Sequence, residues 1–431
     1  MKQTSIHAIC AAISFLFAFV IILMILLRYP IMYGIDGPYY LIQMRHLVSD
    51  GVIKYPDPPL TYYMLAPFYI LSADKNLGLK IAVAFYGGLT AFVLYAAFRR
   101  FGDLSGLAAS LTFILSPFTL RLLNDFIKNY VSLLFIAIFI YTLLNVKKRR
   151  HAIMYSSLAV IASAISHVLT FGVFAIYSLL IFIFCQLKRE YGVERDAAAS
   201  AVVTSFLILI LALTVAPQIV GYDTRKLLSF VENPFDHGWE KAHFTNFAAS
   251  LVIGFAGIAY SLKHRGAAEL SMASGVSLIL VNLPIIGSAW LFRFSLMTSI
   301  LVPPIAAVII GEVNESSKFM VFTLVTGLML MIMLPAVSML KPSITMRDYE
   351  ELRDNLPKYV PPGSTLVIPD TKVRYWVEAL HEEIYEIVKL PPRPPQPGTY
   401  LVLKKPVPPG REPPHGEVVL DGDYIRVLKL R

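Results

Sequence analysis

Apolar runs separated by short charged breaks fill the chain from residue 6 to residue 340, after which the pattern changes. A helix needs about 20 apolar residues to cross a hydrocarbon core. On that measure the runs predict spans at 6–27, 78–98, 104–122, 127–146, 152–167, 169–187, 197–216, 245–262, 268–286, 291–311 and 318–340. The stretch 152–187 has no charged residue and is too long for one span, so it divides near Ser166-His167 at a tight turn. About eleven helices result, and an odd number puts the two termini on opposite sides.

Residues 28–77 form an unusually long first loop. Tyr40, Leu41, Met44, Leu47 and Val48 recur at helical spacing, opposite Gln43, Arg45, His46 and Ser49. Pro38 near the start and Gly51 at the end are boundary signals, which predicts a short amphipathic helix lying at the membrane interface. Leu60 to Leu71 is apolar but too short to span, and Tyr55, Tyr62, Tyr63 and Tyr69 suit headgroup depth. Beyond residue 341, Arg347–Leu356 and Lys372–Tyr385 read as helices, whereas Ser364–Ile368, Tyr400–Leu403, Glu417–Leu420 and Tyr424–Leu428 alternate like strands. Pro391–Pro397 and Lys405–Pro414 are Pro-rich connections. The expected organisation is a polytopic α-helical membrane domain, 1–341, with a small extracytoplasmic α+β domain, 342–431.

Composition supports the membrane reading. The chain of 431 residues is 56% hydrophobic and 16% charged, with mean hydropathy +0.63, against about 45–50% and about 25% for soluble domains. The net charge of +9 does not point to nucleic acid, because its basic clusters lie between apolar runs: Arg99-Arg100, Lys147–Arg150, Lys188-Arg189 and Lys263–Arg265. That is the positive-inside pattern. It puts the N-terminus in the cytoplasm and leaves the loops 28–77, 217–244 and 284–292, with the tail, outside. Only Lys2 precedes Ile6–Leu27 and no small-residue cleavage site follows, so this run reads as a retained first span. Cys10 and Cys185 lie within spans without CxxC or Cys/His spacing, and neither disulfides nor structural zinc are expected.

Few ionisable groups fall in mid-span, where a coupled transporter needs them. They gather instead on the outer face: Asp36 just past the first span, Asp57, Arg121, Asp125, Lys128, His167 and Arg293. Each has a plain structural reading. Asp36 suits a helix cap, Asp57 a Pro-rich turn, and Arg121, Lys128 and Arg293 suit interfacial anchors. His167 suits a structural hydrogen bond at its turn. Glu232–Trp239 fits no standard metal spacing and reads as loop.

The order of Asp36, paired Tyr39-Tyr40, an amphipathic helix, a glycine and then Pro58-Pro59-Leu60-x-Tyr62-Tyr63-x3-Pro67-Phe68 resembles the GT-C superfamily of integral-membrane glycosyltransferases. Its members include protein O-mannosyltransferases and aminoarabinose transferases. Gly78–Arg100 is similar to their second helix, and Trp290-Leu-Phe-Arg293-Phe followed by Pro303-Pro304 resembles a later helix with a basic residue near the substrate phosphate. Gly37 stands where several members have a second acidic residue, and the tail lacks the Trp-Trp-Asp signature of oligosaccharyltransferases, which favours a single-sugar transferase. The resemblance implies inverting transfer of a sugar from a polyprenyl-phosphate carrier, such as dolichyl phosphate, to a protein, lipid or glycan acceptor on the outer face of the cell membrane.

In that scheme Asp36 is the general base. Arg293 is the phosphate partner, and Tyr39, Tyr40, Asp57, Arg121, Asp125, Lys128 and His167 join it in substrate binding. No cofactor is certain, and a divalent metal, as in oligosaccharyltransferases, is left open but not indicated. Two rival readings are a transporter or flippase of lipid-linked sugars and a non-catalytic membrane subunit.

Overall fold

A computed structural model describes residues 2–189, 192–215, 241–263, 268–283, 288–390, 398–406 and 416–430. In chain order the first helices are α1 (Lys2–Leu26), α2 (Gly37–Asp50), α3 (Leu60–Leu71), α4 (Lys75–Phe98), α5 (Asp103–Ile114), α6 (Pro117–Asp125) and α7 (Ile127–Asn145). Then come α8 (Arg149–Ala164), α9 (Val168–Leu187), α10 (Val193–Val215), α11 (Lys241–Lys263), α12 (Ala268–Val281), α13 (Ser288–Ser295), α14 (Thr298–Glu312) and α15 (Glu315–Met339). The chain forms two compact units, one of residues 1–27, 56–68 and 79–340, the other of 28–55, 69–78 and 341–431.

The first unit is a helical bundle. Each of the eleven predicted spans contains helix. Among the described residues eight helices are long and apolar enough to cross a membrane, or nine if α5 and α6 count as one bent span. The other two segments are shorter: α8 has 16 residues and α12 has 14. The segment 104–122, expected as one helix, is instead bent by 45° between α5 and α6. Ser116 is extended there and its Oγ accepts from the Phe118 N–H, while Pro117 has no N–H to continue the α5 ladder.

Small polar side chains join the helices where no water is present to do so. Ser132 meets Ser163 at 3.2 Å between α7 and α8, Tyr177 meets Ser274 at 2.8 Å between α9 and α12, and Asn282 donates to Thr298 at 3.0 Å. Val203, Phe206, Leu207 and Ile210 on α10 and Phe319, Leu324, Met331 and Leu334 on α15 are exposed. So extended an apolar surface is stable against lipid and not against water.

The second unit contains a mixed five-stranded sheet in the order β2-β1-β3-β5-β4. The strands are β1 (Thr365–Val367), β2 (Glu386–Val388), β3 (Thr399–Lys404), β4 (Gly416–Asp421) and β5 (Ile425–Leu430). β1 is parallel to both neighbours, and β5 is antiparallel to β3 and β4. Helices α16 (Met346–Glu350), α17 (Leu356–Tyr359) and α18 (Thr371–His381) complete the tail. β2 was not expected, since three residues are too few to show alternation beside a helix pattern reaching Tyr385.

The same unit contains α2, bounded as predicted by Pro38 and by Gly51 at φ +75°. Two side chains of α2 depart from the predicted faces. Val48, assigned to the apolar side, is exposed. Gln43, assigned to the polar side, is fully buried because its amide both donates to and accepts from the Tyr55 backbone at 2.9 Å. Glu351 fixes the β4–β5 hairpin: its carboxylate accepts from the N–H groups of Asp423, Tyr424 and Ile425 at 3.0–3.2 Å. A Cβ on Gly422 would sit 2.1 Å from that carboxylate, so a side chain there would have to displace it. Glu351→Ala strands three amides, each bond to a charged acceptor being worth about 1.5–3 kcal/mol. Hydrogen exchange at residues 423–425 should accelerate by two orders of magnitude or more, with the helical bundle unaffected.

Candidate functional site

In the first unit the candidate residues collect where α6 meets α7, where α8 turns into α9, and on α13. α6 begins with a Ser116 cap and runs only to Asp125, so Arg121 and Asp125 stand one turn apart and pair at 3.0 Å. Arg121 also lies 5.5 Å from the centre of the Phe292 ring. α7 starts at Ile127, which brings Lys128 onto Asp57 in an ion pair. The Asp57 carboxylate accepts from Tyr62 Oη at 2.6 Å as well. With side-chain exposures of 12% and 17%, this is a largely desolvated pair. Its stability rests on both partners being present.

Beside that pair is a cavity of about 90 Å³ lined by Phe126, Asn129, His167, Trp290 and Arg293. The volume admits several waters or one phosphate-sized group. His167 caps α9: Nδ1 accepts from the Thr170 N–H at 3.3 Å, so the single proton of the neutral ring resides on Nε2. Burial, reinforced by the charges of Lys128 and Arg293, holds the imidazole well below its usual pKa and keeps it neutral. Arg293 is exposed, lies 5.5 Å from the Trp290 ring centre and pairs with no carboxylate among the described residues. A neutral N–H donor and a guanidinium beside aromatic walls suit an anion carried on an apolar stem.

The second unit holds the remaining candidates. Asp36 occupies the N-cap position of α2 but makes no side-chain capping hydrogen bond, so capping does not account for its carboxylate. Its charge acts on Tyr375, whose pKa is raised mainly by burial. The rings of Tyr39, Tyr55 and Tyr375 cluster at 5.6–6.3 Å, and Tyr40 packs edge-on against Tyr39 at 5.8 Å.

Sequence reasoning did not find the acidic pair on α18 and its exit. Glu378 and Glu382, four residues apart, meet Arg45, His46 and Lys54 of the first loop. Arg45 donates to Glu382 at 2.8 Å, His46 contacts it at 3.1 Å, and Lys54 bridges Glu378 and Glu382 at 2.5 and 2.7 Å. Tyr55 donates to Glu378 at 2.6 Å. The available signal was charge complementarity between 45–54 and 378–382, which carries no pairing information across more than 300 residues. Among the described residues no three of His, Cys, Asp or Glu gather as a metal-binding group. Glu232–Trp239 lies outside the described residues.

Two expectations follow. Asp57→Asn leaves Lys128 desolvated without a counter-charge and should cost about 3 kcal/mol, whereas Asp57→Leu with Lys128→Met should restore most of that stability. Thermal unfolding of the three proteins in one detergent checks this. The α2–α18 contact should also have a pH window. Burial raises the Glu382 pKa, but Lys54, His46 and Arg45 outweigh it and the net shift is down from 4.5. Its stabilisation is present above pH 4.5 and lost as pH falls through the depressed value. For Lys54 burial is likewise outweighed, by Glu378 and Glu382, and the net shift is up from 10.5. That contribution is present below pH 10.5 and lost as pH rises further. Glu382→Gln should remove the acid limb of the melting profile.

No family model and no curated protein sequence matches the chain. Among solved structures, ArnT from Cupriavidus metallidurans in the apo state aligns over 99% of this chain and 98% of its own, at 11% identity and TM-score 0.60. The same protein bound to undecaprenyl phosphate aligns over 96% and 97%, at 12% identity and TM-score 0.45. At such identity the likeness is one of architecture: this chain is a multi-pass membrane protein with an ArnT-like fold along nearly its whole length.

Proposed function

We propose that the protein is a membrane glycosyltransferase that moves a sugar from a polyprenyl-phosphate carrier to an acceptor hydroxyl at the extracytoplasmic face. The observation that carries this reading is the compact cavity edged by Arg293 and neutral His167, in a bundle whose fold is that of a lipid-linked sugar transferase. The distribution of basic loops supports a cytoplasmic N-terminus and an outer location for the candidate residues.

The acceptor hydroxyl is a weak nucleophile. As its oxygen bonds to the anomeric carbon, a carboxylate base takes the proton, a contribution of about 10²–10⁴-fold, and the sequence resemblance assigns that role to Asp36. The bond from that carbon to the carrier phosphate breaks, its electron pair stays on the phosphate, and the configuration inverts. Arg293 neutralises the growing charge, and the His167 Nε2–H donates to it without adding a second full cation. Lys128 is held by Asp57 and contributes to the local field, with the Arg121–Asp125 pair beside it. The tyrosines at 39 and 40 bound the approach to Asp36 in the second unit.

Purified protein incubated with a panel of polyprenyl-phosphate sugars should consume at least one donor. Asp36→Asn, which keeps the side chain's shape, should turn over at least 100-fold more slowly with donor affinity and expression retained. Arg293→Met should weaken donor binding and turnover together, with Arg293→Lys intermediate because a point charge replaces a fork. Undiminished transfer by Asp36→Asn would remove that residue from the mechanism. Transport without transfer would replace the enzyme reading altogether.

A further inference from the structure

The proposed reaction leaves unused a second, larger cavity, which lies wholly within the second unit. It measures about 600 Å³, within the range of small-ligand sites, and is lined by Tyr29, Ile31, Lys341, Ile344, Lys404 and Tyr424 among others. Chain connectivity fixes its depth. Arg28-Tyr29 follow the last residue of α1, Leu26, within three positions, and Lys341 follows the last of α15, Met339, by two. At no more than about 3.5 Å per residue, the backbone of these residues lies within about 11 Å of the ends of two apolar helices, close to the level where spanning helices meet lipid headgroups.

The lining matches that depth. Ile31 and Ile344 form a buried apolar floor. Lys404 stands 5.8 Å from the Tyr424 ring centre. Lys404 makes no ion pair with a described residue. The one carboxylate in the lining, Asp348, is committed to the Thr345 capping box, accepting from the Thr345 N–H at 2.9 Å. Tyr424 is 8% exposed, and its hydroxyl is buried without a hydrogen-bond partner among the described residues. A buried hydroxyl in that condition is uncommon in a settled protein interior.

We propose that this cavity binds the phosphate headgroup of an anionic phospholipid, with Lys341 and Lys404 as its cations and the tyrosines as interfacial walls. The site is independent of the sugar-transfer reading. Loss of transferase activity in Asp36→Asn leaves it intact.

Native mass spectrometry of the full chain in neutral detergent tests it, with short-chain phosphatidylglycerol, short-chain phosphatidylcholine and inorganic phosphate as probes. Phosphatidylglycerol should be retained, phosphatidylcholine should not, and millimolar phosphate should fail to displace the lipid. Lys341→Ala with Lys404→Ala should weaken retention about thirtyfold, from about fivefold per lysine. The corresponding double Arg variant should keep it, which separates charge from folding. Equal retention by the double Ala variant overturns the proposal. Displacement by phosphate alone overturns the lipid as the source of the bound group.

Discussion

Hydrocarbon does not solvate charge, and the distribution of ionisable groups in the first unit follows from that single constraint. A helix crossing the bilayer has to deliver its charged side chains at its ends. α7 does so plainly: Lys128 is its second residue, and the basic run Lys147–Arg150 begins two residues after its last, Asn145. Nineteen residues at about 1.5 Å each separate the two by about 28 Å, close to the hydrocarbon thickness. Once the ends are fixed, Asp57, His167 and Arg293 have a common level at which to meet. The basic loops remain at the opposite end, around Arg100, Lys147 and Glu194, where the chain borders another cavity.

The same constraint explains how the charges at that level are handled. Asp57 with Lys128 and Arg121 with Asp125 are both opposite-sign pairs, and His167 avoids the problem by staying neutral. Arg293 is the exception among the described residues, supported by an aromatic ring in place of a carboxylate. An unpaired guanidinium at the edge of a cavity gives the local field its sign, which is favourable to a phosphate and unfavourable to a second cation.

Much of this architecture was legible because membrane helices are written in long, redundant runs. The turn at Ser166-His167 and both limits of α2 came from local residues whose physics is local: a run too long for one span, a proline, a glycine. The break at Ser116-Pro117 was written just as locally, but an apolar run continuing through Leu123 masked it. Gln43 looked exposed because its partner, the Tyr55 backbone, has no sequence signature. Asp57 and Lys128 were each singled out, yet their pairing across 71 residues needed the fold. Glu378 and Glu382 were invisible as partners for the same reason.

The dependence of α2 on the distant tail has an evolutionary and practical edge. A protein shortened before residue 378 would keep α2 but strip Arg45 and Lys54 of their acids, leaving only Asp50 beside His46. What was a strut would become a free basic amphipathic peptide, and such peptides adhere to negatively charged bilayers. Trimming the C-terminus would therefore do more than delete a sheet. It would change what the first loop sticks to.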